Sequence, residues 1–360
     1  MRPVPFPLVD PAAEAGAAAQ IHRHFALLIA DGRLSAGDRL PAVRSLAAHV
    51  GVSINTVRAG YARLEADGLV LTRQGAGTTV LPVGLAGLAA AGRGTLGSGT
   101  IGVVLAGLDP FYLPVLQGIV EVTHRFGTVT FMTTAENHPD RAAMAVRQMA
   151  ARGVRGFIIL SSRIDPVPLD VLSVVNFDRP GSGGYGIDLD AEGAGRLLGE
   201  HLAEHGHRRV GLVVPPVEWP NMAELPVGLR AGLAPGAALT VAEVGGFSLD
   251  DGRCGLAELL AGPQPPTAVV GAGALLCLGI LEEAAGRGLQ VPTDLALVGY
   301  ADAAPARFAA PPLTMVGFAE RAAGEQAAEM LQGLLAGRRV RPRRRTLSPT
   351  LRVRRSCGCD

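Results

Sequence analysis

The sequence contains no lysine, since all 33 of its basic residues are arginine. Schiff-base catalysis, the Walker-A phosphate loop and protein-kinase catalysis each require a lysine amine, so the composition excludes these classes of protein. Cysteine is also scarce, because four scattered residues are too few for a disulfide framework. Cys357-Gly358-Cys359 could bind a metal ion, but no group of cysteines or histidines lies near it in the sequence. We therefore predict no metal site and no cofactor.

Long apolar runs are lacking as well. The longest, residues 268–281, has fourteen residues, whereas a helix needs about 20 to cross a bilayer. The first residues also lack the apolar stretch of about 7–15 residues that a secretory signal carries. These absences predict a cytoplasmic protein without a membrane partner.

Charge is unevenly distributed, although the formal net charge is only +1. Residues 84–337 contain 16 arginines and 25 acidic residues, whereas residues 338–355 contain nine arginines and no acidic residue. The basic segment could contact DNA or a partner subunit, or it could be a solvated edge. The sequence leaves both interpretations open.

The chain divides at a glycine-rich segment, residues 84–99, which is small and nearly uncharged and is typical of a linker. Within it, residues 92–97 match the dinucleotide-binding pattern G-x-G-x-x-G. The match precedes a strand instead of following one, so we regard it as spurious. We predict an N-terminal domain at residues 1–83, a linker at 84–99 and a second domain at 100–360.

In the second domain, short apolar runs alternate with amphipathic stretches of helical length. The strand-like runs are residues 101–106, 129–132, 157–160, 172–177, 210–214, 267–271 and 295–300. Such alternation predicts an α/β fold with parallel sheets. About 260 residues are more than one sheet needs, so we expect two lobes, with a ligand bound between them beyond the carboxyl ends of the strands.

The first domain has a different pattern. Apolar residues recur at helical spacing within residues 21–29, 43–50 and 57–64, and Ser53 is placed to cap the third of these helices. Two strand-like runs follow at residues 69–73 and 78–81. Three helices followed by a small hairpin predict a winged helix-turn-helix domain.

The segment GDRLPAVRSLAAHVGVSINTVRAGYARLEADGLVLTRQGAGTTV, residues 37–80, resembles the DNA-binding domain of the GntR family of bacterial transcription regulators. Further along, segments such as IGVVLAGLDPFY, VVNFDRP, EHLAEHGHRRVGLV and LRVRRSCGC resemble the LacI/GalR effector domain. Together the two resemblances cover nearly the whole chain. Their combination is similar to the arrangement of arabinose repressors.

The resemblance to the GntR family implies a DNA-contacting surface. Its candidate residues are Arg44, Ser53, Asn55, Thr56, Arg58, Gly75 and Gly77. Asn55 and Arg58 lie in the first turns of the third helix, where such side chains can pair with adenine and guanine in the major groove. Arg44 lies where the family places a DNA-contacting arginine. Ile54 replaces a frequent arginine of the family, so the family's base preference does not simply carry over.

Some of these candidates also have a purely structural interpretation. Thr56 could bond a phosphate or help to cap its own helix. Gly75 and Gly77 could form a wing tip near the minor groove, or they could only make the hairpin turn. An ordinary three-helix subdomain with solvated arginines would show the same pattern.

The resemblance to the LacI/GalR domain implies an effector pocket. Its candidate residues are Phe111, Asp178, Arg179, Trp219, Phe247 and Asp302, of which each aromatic could equally belong to the core. Three polar anchors of the family are missing, because Gly273 and Ala274, Ala301 and Leu225 stand at their positions. Buried sugar hydroxyls would then lack partners, at about 1–3 kcal/mol each. We expect simple sugars to bind no better than millimolar, and the effector to be less hydroxylated, or anionic and held by Arg179.

His201, Glu204 and His205 match the inverted zincin pattern H-x-x-E-H. The two histidines share a helix face and could hold zinc. A metalloprotease also needs a third ligand and a wet cleft, and this segment matches a structural helix of LacI-type domains. We therefore do not predict an enzyme.

Taken together, the sequence predicts a ligand-responsive transcriptional regulator, a repressor that binds a palindromic DNA operator as a homodimer. A small-molecule effector of unknown identity would bind between the lobes. The alternative is a DNA-binding regulator whose sensor domain has lost small-molecule binding and serves as a dimerisation scaffold.

Overall fold

The computed structural model describes residues 6–7, 9, 16–30, 32–73, 77–82, 100–160, 173–178, 184–217 and 222–359. The predicted linker and three candidate site residues, Gly75, Arg179 and Trp219, lie outside these residues. Within the described part of the chain, no helix combines the length and the apolar character needed to cross a membrane.

The N-terminal unit, which we call the head, consists of three helices and a two-stranded antiparallel sheet. Its elements are α1 Ala17–Ala30, α2 Val43–Val50, α3 Ile54–Ala66, β1 Val70–Arg73 and β2 Gly77–Val80. Ser53 caps α3, because its hydroxyl accepts a hydrogen bond from the Thr56 amide at 3.1 Å. Ile21, Phe25 and Leu64 are fully buried in its core. The predicted winged helix-turn-helix plan is confirmed.

The first lobe of the second domain is a six-stranded parallel sheet. Its elements in the first half of the chain are β3 Thr100–Leu105, α4 Tyr112–Arg125, β4 Val129–Thr134, α5 Pro139–Ala151, β5 Gly156–Leu160, β6 Ser173–Phe177 and β7 Tyr185–Leu189. Two later elements complete it, the helix α11 Glu320–Leu335 and the strand β13 Arg344–Leu347. The strand order is β13-β7-β6-β5-β3-β4, which makes β4 an edge strand.

The second lobe is a mixed six-stranded sheet in which only the last strand is antiparallel. Its elements are α6 Ala191–Glu204, β8 Arg209–Val214, α7 Leu225–Gly232, β9 Ala238–Glu243, α8 Leu249–Ala261, β10 Ala268–Gly271, α9 Ala274–Gly286, β11 Ala296–Tyr300, α10 Ala304–Phe308, β12 Thr314–Gly317 and β14 Thr350–Arg352. A short 3₁₀ helix, Arg355–Cys357, follows β14. The strand order is β14-β12-β11-β10-β8-β9.

The chain passes between the lobes three times, after β7, after β12 and after β13. The parallel strands of both sheets have their carboxyl ends on the side of these connections. The carboxyl ends of the two sheets therefore face each other across one cleft. The two-lobed α/β architecture predicted from the alternating runs is confirmed, and all seven predicted runs correspond to strands.

Candidate functional sites

Helix α3 presents one buried and one exposed face. Val57, Tyr61 and Leu64 are buried against the head's core, and the Tyr61 hydroxyl donates a hydrogen bond to the Pro41 carbonyl at 2.8 Å. Asn55 and Arg58 lie on the opposite face and are exposed. The helix therefore offers an amide and a guanidinium from its first turns to a partner outside the head.

The other described candidates of the head surround this face. Arg44 is exposed on α2, which packs against α3. The Thr56 hydroxyl lies 2.8 Å from the Ser53 hydroxyl, so both side chains take part in the cap of α3. Gly77 is exposed at the start of β2 and has a φ of 87°, a backbone conformation that favours glycine.

A cavity of about 330 Å³ lies between the two lobes. It is bordered by residues at the carboxyl ends of strands from both sheets, including Ala106 after β3, Leu189 in β7 and Ala272 after β10. Two residues of its lining, Asp178 from the first lobe and Ala301 from the second, have φ values of 51° and 63°. Strained backbone of this kind is concentrated at functional sites.

Among the residues that the structure describes, six polar side chains line the cavity: Asp109, Tyr112, Asn137, Asp178, Ser248 and Tyr300. The Tyr300 side chain is 2% exposed, and its hydroxyl has no hydrogen-bond partner among the described residues. An unpaired buried hydroxyl costs about 1–3 kcal/mol. A bound molecule that pairs with it would recover that free energy.

Burial also affects the acidity of these groups. It raises the pKa of Asp109, although a hydrogen bond of 2.8 Å from the Phe111 amide partly opposes the rise. Burial raises the pKa of Tyr300 as well, and the negative charge of Asp178 adds to the effect. Both tyrosines of the lining, Tyr112 and Tyr300, are therefore neutral hydroxyls at neutral pH. They can donate or accept a hydrogen bond.

Two aromatic candidates, Phe111 and Phe247, border the cavity and are half-buried. Gly273 lies beside Phe247, and a β-carbon at Gly273 would approach the Phe247 ring to 3.3 Å. A larger residue at Gly273 would have to displace that ring. The Phe247 ring therefore lies against the position at which the resemblance to the LacI/GalR domain implies a polar anchor.

Asp302 does not belong to the cavity lining in the described part of the chain. Its carboxylate accepts hydrogen bonds of 2.8 Å from Arg352 and 2.7 Å from Arg354, so it fixes the C-terminal segment to the second lobe. Burial opposes ionisation of Asp302, but the hydrogen bonds from Arg354 and Arg352 outweigh it and lower the pKa of this carboxyl. Leu225 is fully buried in α7, within the core of the second lobe.

The arginine-rich segment makes further contacts within the chain. Arg344 in β13 forms an ion pair with Asp188 in β7, and Arg345 bonds Gln326 in α11. Arg343 lies over the Tyr185 ring. Much of this segment therefore stabilises the fold, a use that the charge count alone did not indicate.

Sequence analysis missed several residues of the cavity lining, among them Asp109, Tyr112, Asn137 and Tyr300. A signal for Asp109 and Tyr300 was present, because one follows and the other ends an apolar strand run. Asn137 follows β4 in the same way. Tyr112 gave no such signal, since it opens a helix.

Comparisons with known proteins agree with this architecture. The family described as bacterial regulatory proteins, gntR family, matches residues 17–80, and the periplasmic binding protein-like domain matches residues 200–357. The LacI family transcriptional regulator from Enterococcus faecium with bound ribose superposes with a TM-score of 0.64 and 23% identity, over 71% of this chain and 98% of that one.

Two similar relatives are transcriptional regulators. The HTH-type transcriptional repressor PurR of Haemophilus influenzae is 26% identical over 64% of this chain and 72% of the relative. The HTH-type transcriptional regulator CelR of Thermobifida fusca is 31% identical over 261 residues, which are 69% of this chain and 76% of CelR. The protein therefore belongs to the LacI-type family of HTH transcriptional regulators that includes CelR, and it carries a gntR-type head.

Proposed function

We propose that the protein is a dimeric repressor that binds a palindromic operator, with one head on each half-site. The observation that carries this proposal is the exposed face of α3, where Asn55 and Arg58 stand beside Arg44 of the packed helix α2. A recognition helix of this kind enters the major groove, where Arg pairs with guanine and Asn with adenine. Such a repressor acts in the cytoplasm, where its operator is.

The edge strand β4 supports dimerisation through the second domain. Val129, Phe131 and Met132 are exposed there, and Phe126 is exposed just before the strand. Exposed apolar side chains on the edge strand of a sheet invite association. The occupant that we propose is β4 of a second copy, because a palindromic operator requires a symmetric partner.

The proposed effector binds in the cavity between the lobes. An effector that binds one arrangement of the two lobes more tightly than another shifts the population toward that arrangement. The effector would thereby change the relative positions of the two heads in the dimer. The described lining contributes two carboxylates, Asp109 and Asp178, and no arginine. This supports a neutral or cationic molecule with N–H or O–H donors, one of which pairs with the Tyr300 hydroxyl.

Simple sugars remain poor candidates, although the Enterococcus faecium protein was solved with ribose. Gly273, Ala274 and Ala301 line the cavity without polar side chains. We expect ribose, arabinose and glucose to bind with millimolar dissociation constants or weaker.

Two measurements test the proposal. Footprinting of the full-length protein on its own promoter region should reveal a two-fold symmetric protected site. Isothermal titration should then be run with monosaccharides, nucleosides, amines and organic acids, each followed by an operator-binding assay. A micromolar monosaccharide would contradict the expected ligand class. Failure of every compound to bind or to release DNA would favour the scaffold alternative, and an unprotected promoter would contradict the repressor itself.

A further inference from the structure

Three side chains that can ligate a metal ion meet on the outside of the second lobe. They are His201, His205 and Cys359, and their ligand atoms all lie within 4.8 Å of one another. The Cys359 sulfur lies 3.0 Å from His205 Nε2 and 3.8 Å from His201 Nε2. His201 is buried, Cys359 is half-buried and His205 is exposed, so the cluster is open to solvent on one side.

The fold brings these residues together from distant parts of the sequence. His201 lies in the last turn of α6 and His205 is its C-cap, so their i, i+4 spacing places both rings on one helix face. Cys359 reaches them from the C-terminal segment. Gly358 has a φ of 91° at the end of the 3₁₀ helix, and this left-handed turn directs the chain toward α6.

The segment before Cys359 is firmly attached to the same lobe. The Ser356 hydroxyl donates to the Leu297 carbonyl and accepts from the Thr314 amide, both within the buried core. The Thr314 hydroxyl lies 3.1 Å from the Cys357 sulfur. These contacts hold the backbone at Cys359 in place, so its approach to the histidines is preorganised.

The spacing of the three atoms fits a small tetrahedral ion. With Zn–S of about 2.3 Å and Zn–N of about 2.0–2.1 Å, tetrahedral angles place a sulfur and a nitrogen ligand about 3.6 Å apart. The two observed sulfur–nitrogen distances, 3.0 and 3.8 Å, lie on either side of this value. Binding would lengthen the shorter of the two distances by about 0.6 Å and draw the two histidine nitrogens together to about 3.3 Å.

The second ring nitrogen of His205 has the partner that a metal-binding histidine usually has. His205 Nδ1 lies 2.8 Å from the His201 carbonyl oxygen, which can only accept a hydrogen bond. Nδ1 must therefore carry the proton, and a neutral ring then leaves the lone pair on Nε2, the atom that faces Cys359. Such a bond from the distal nitrogen to a carbonyl is the common second contact of ligating histidines.

We propose that His201 Nε2, His205 Nε2 and the Cys359 thiolate bind one divalent transition-metal ion, preferentially Zn²⁺, and thereby clamp the C-terminal segment to α6. Two imidazoles and a thiolate favour Zn²⁺ over Mg²⁺ or Ca²⁺, which prefer oxygen ligands. The fourth position faces solvent and is filled by water. Sequence analysis predicted no metal site because Cys359 is 154 positions away from His205.

The first test measures metal binding by full-length protein without a histidine tag. The metal-free protein should bind one equivalent of Zn²⁺, and Co²⁺ in its place should give the visible bands of a tetrahedral site with a thiolate-to-cobalt charge-transfer band. Cys359→Ser should remove the charge-transfer band. Both Cys359→Ser and His205→Ala should weaken Zn²⁺ binding by more than about 100-fold. Even the loss of a residue that only hydrogen-bonds to a metal ligand costs about 10–100-fold in metal affinity.

Matched controls are Cys254→Ser and His124→Ala, which remove an exposed cysteine and an exposed histidine elsewhere. Both should bind Zn²⁺ like the parent. The proposal is overturned if the parent takes up no stoichiometric Zn²⁺, or if Cys359→Ser and His205→Ala bind it as tightly as the controls do.

A second measurement keeps the proposal testable if a variant folds poorly. Zn²⁺ should raise the melting temperature of the parent, because a ligand that binds only the folded state stabilises it. It should leave the melting temperature of His205→Ala unchanged, a variant whose substituted side chain is exposed. An equal rise in both would mean that the ion binds elsewhere.

Discussion

The candidate sites of the head and of the cavity differ in how far apart their residues lie in the sequence. Apart from the two wing glycines, the candidate DNA contacts of the head come from 15 consecutive positions, 44–58, on two packed helices and the turn between them. The cavity is assembled from residues between 106 and 301, which meet only when two sheets have folded and the chain has passed between them. A local surface can be inferred from a short segment, whereas a composite cavity depends on the relative positions of distant strand ends.

The largest effect should come from a change in the second domain that weakens DNA binding by the head. Phe131→Glu places a charge on the proposed dimer surface of β4. In the dimer, binding of one head to the operator raises the effective concentration of the other head at the second half-site. Loss of the dimer removes this effect, which is worth about 10²–10⁴-fold in operator affinity. Sedimentation and operator titration at matched salt would measure both changes.

The matched control for this variant is Val227→Glu, which adds the same charge to another exposed apolar position, on α7. It should remain dimeric and bind the operator normally. If Phe131→Glu also remains dimeric, the subunits associate through another surface.

The next effect should be confined to the stability of the second domain. Asp302→Asn removes the charge that pairs with Arg352 and Arg354, and a buried ion pair that loses one partner typically costs about 3–5 kcal/mol. Since Arg352 is 38% exposed, we expect about 3 kcal/mol, near the lower end. Urea unfolding followed by the fluorescence of the only tryptophan, Trp219, would measure it. Asp250→Asn, in an exposed pair with Arg253, should cost less than about 1 kcal/mol.

Unfolding at low pH should reveal the same pairing of Asp302 with Arg352 and Arg354. The pKa of Asp302 is lower in the folded protein than its ordinary value of 3.8. Its contribution to the free energy of unfolding is therefore complete above the unfolded pKa and disappears as the pH falls through the folded pKa. Asp302→Asn should unfold with a shallower pH dependence below about pH 4. An unchanged acid limb would contradict the assignment.

A smaller effect should be confined to the head. Arg58→Ala and Arg44→Ala should each weaken operator binding by about 1–3 kcal/mol if they contact base edges. If the arginine contacts a phosphate instead, its removal should reduce the slope of log affinity against log salt concentration by about one. Arg63→Ala, an exposed arginine near the end of α3, is the control. Operator binding equal to that of the control in both variants would refute the assigned DNA-binding surface.

The smallest expected effect is a change in the free energy of unfolding that differs between a tyrosine of the head and a tyrosine of the cavity. Tyr61→Phe removes a hydroxyl that donates to the Pro41 carbonyl in the head, so it should lower the free energy of unfolding by about 1 kcal/mol. Tyr300→Phe removes a buried hydroxyl without a partner among the described residues, so it should leave stability unchanged or raise it. Once an effector is identified, Tyr300→Phe should weaken its binding. Equal destabilisation by both substitutions would show that Tyr300 has a structural partner.

The fold could be predicted well from the sequence, because all seven strand-like runs of the second domain correspond to parallel strands, most of them buried. The strands that escaped prediction lie at sheet edges or near them, such as β9 and β13, which bury few residues and therefore carry a weaker apolar signal. The cap at Ser53 was predictable because it depends on only four consecutive residues.

The candidate sites were less accessible from the sequence. Asp302 was expected in the cavity because the resemblance to the LacI/GalR domain places it beside a ligand-binding position, yet two arginines from the far end of the chain bind its carboxylate. Tyr300 was passed over as an ordinary strand residue. Contacts between distant segments decide both outcomes, and no local pattern encodes them.

The strand β13 has a consequence for how the protein is made. It inserts beside β7, and helix α11 covers the same sheet, although both follow all but the last strand of the second lobe in the chain. On the ribosome the head can fold as soon as it emerges, but the first lobe must wait until residue 347 has been synthesised. At about 5–20 residues per second this delay amounts to roughly 10–30 s after β7. During that time the unpaired side of β7 is open, so slow translation of the second lobe should expose the nascent chain to aggregation and to chaperones.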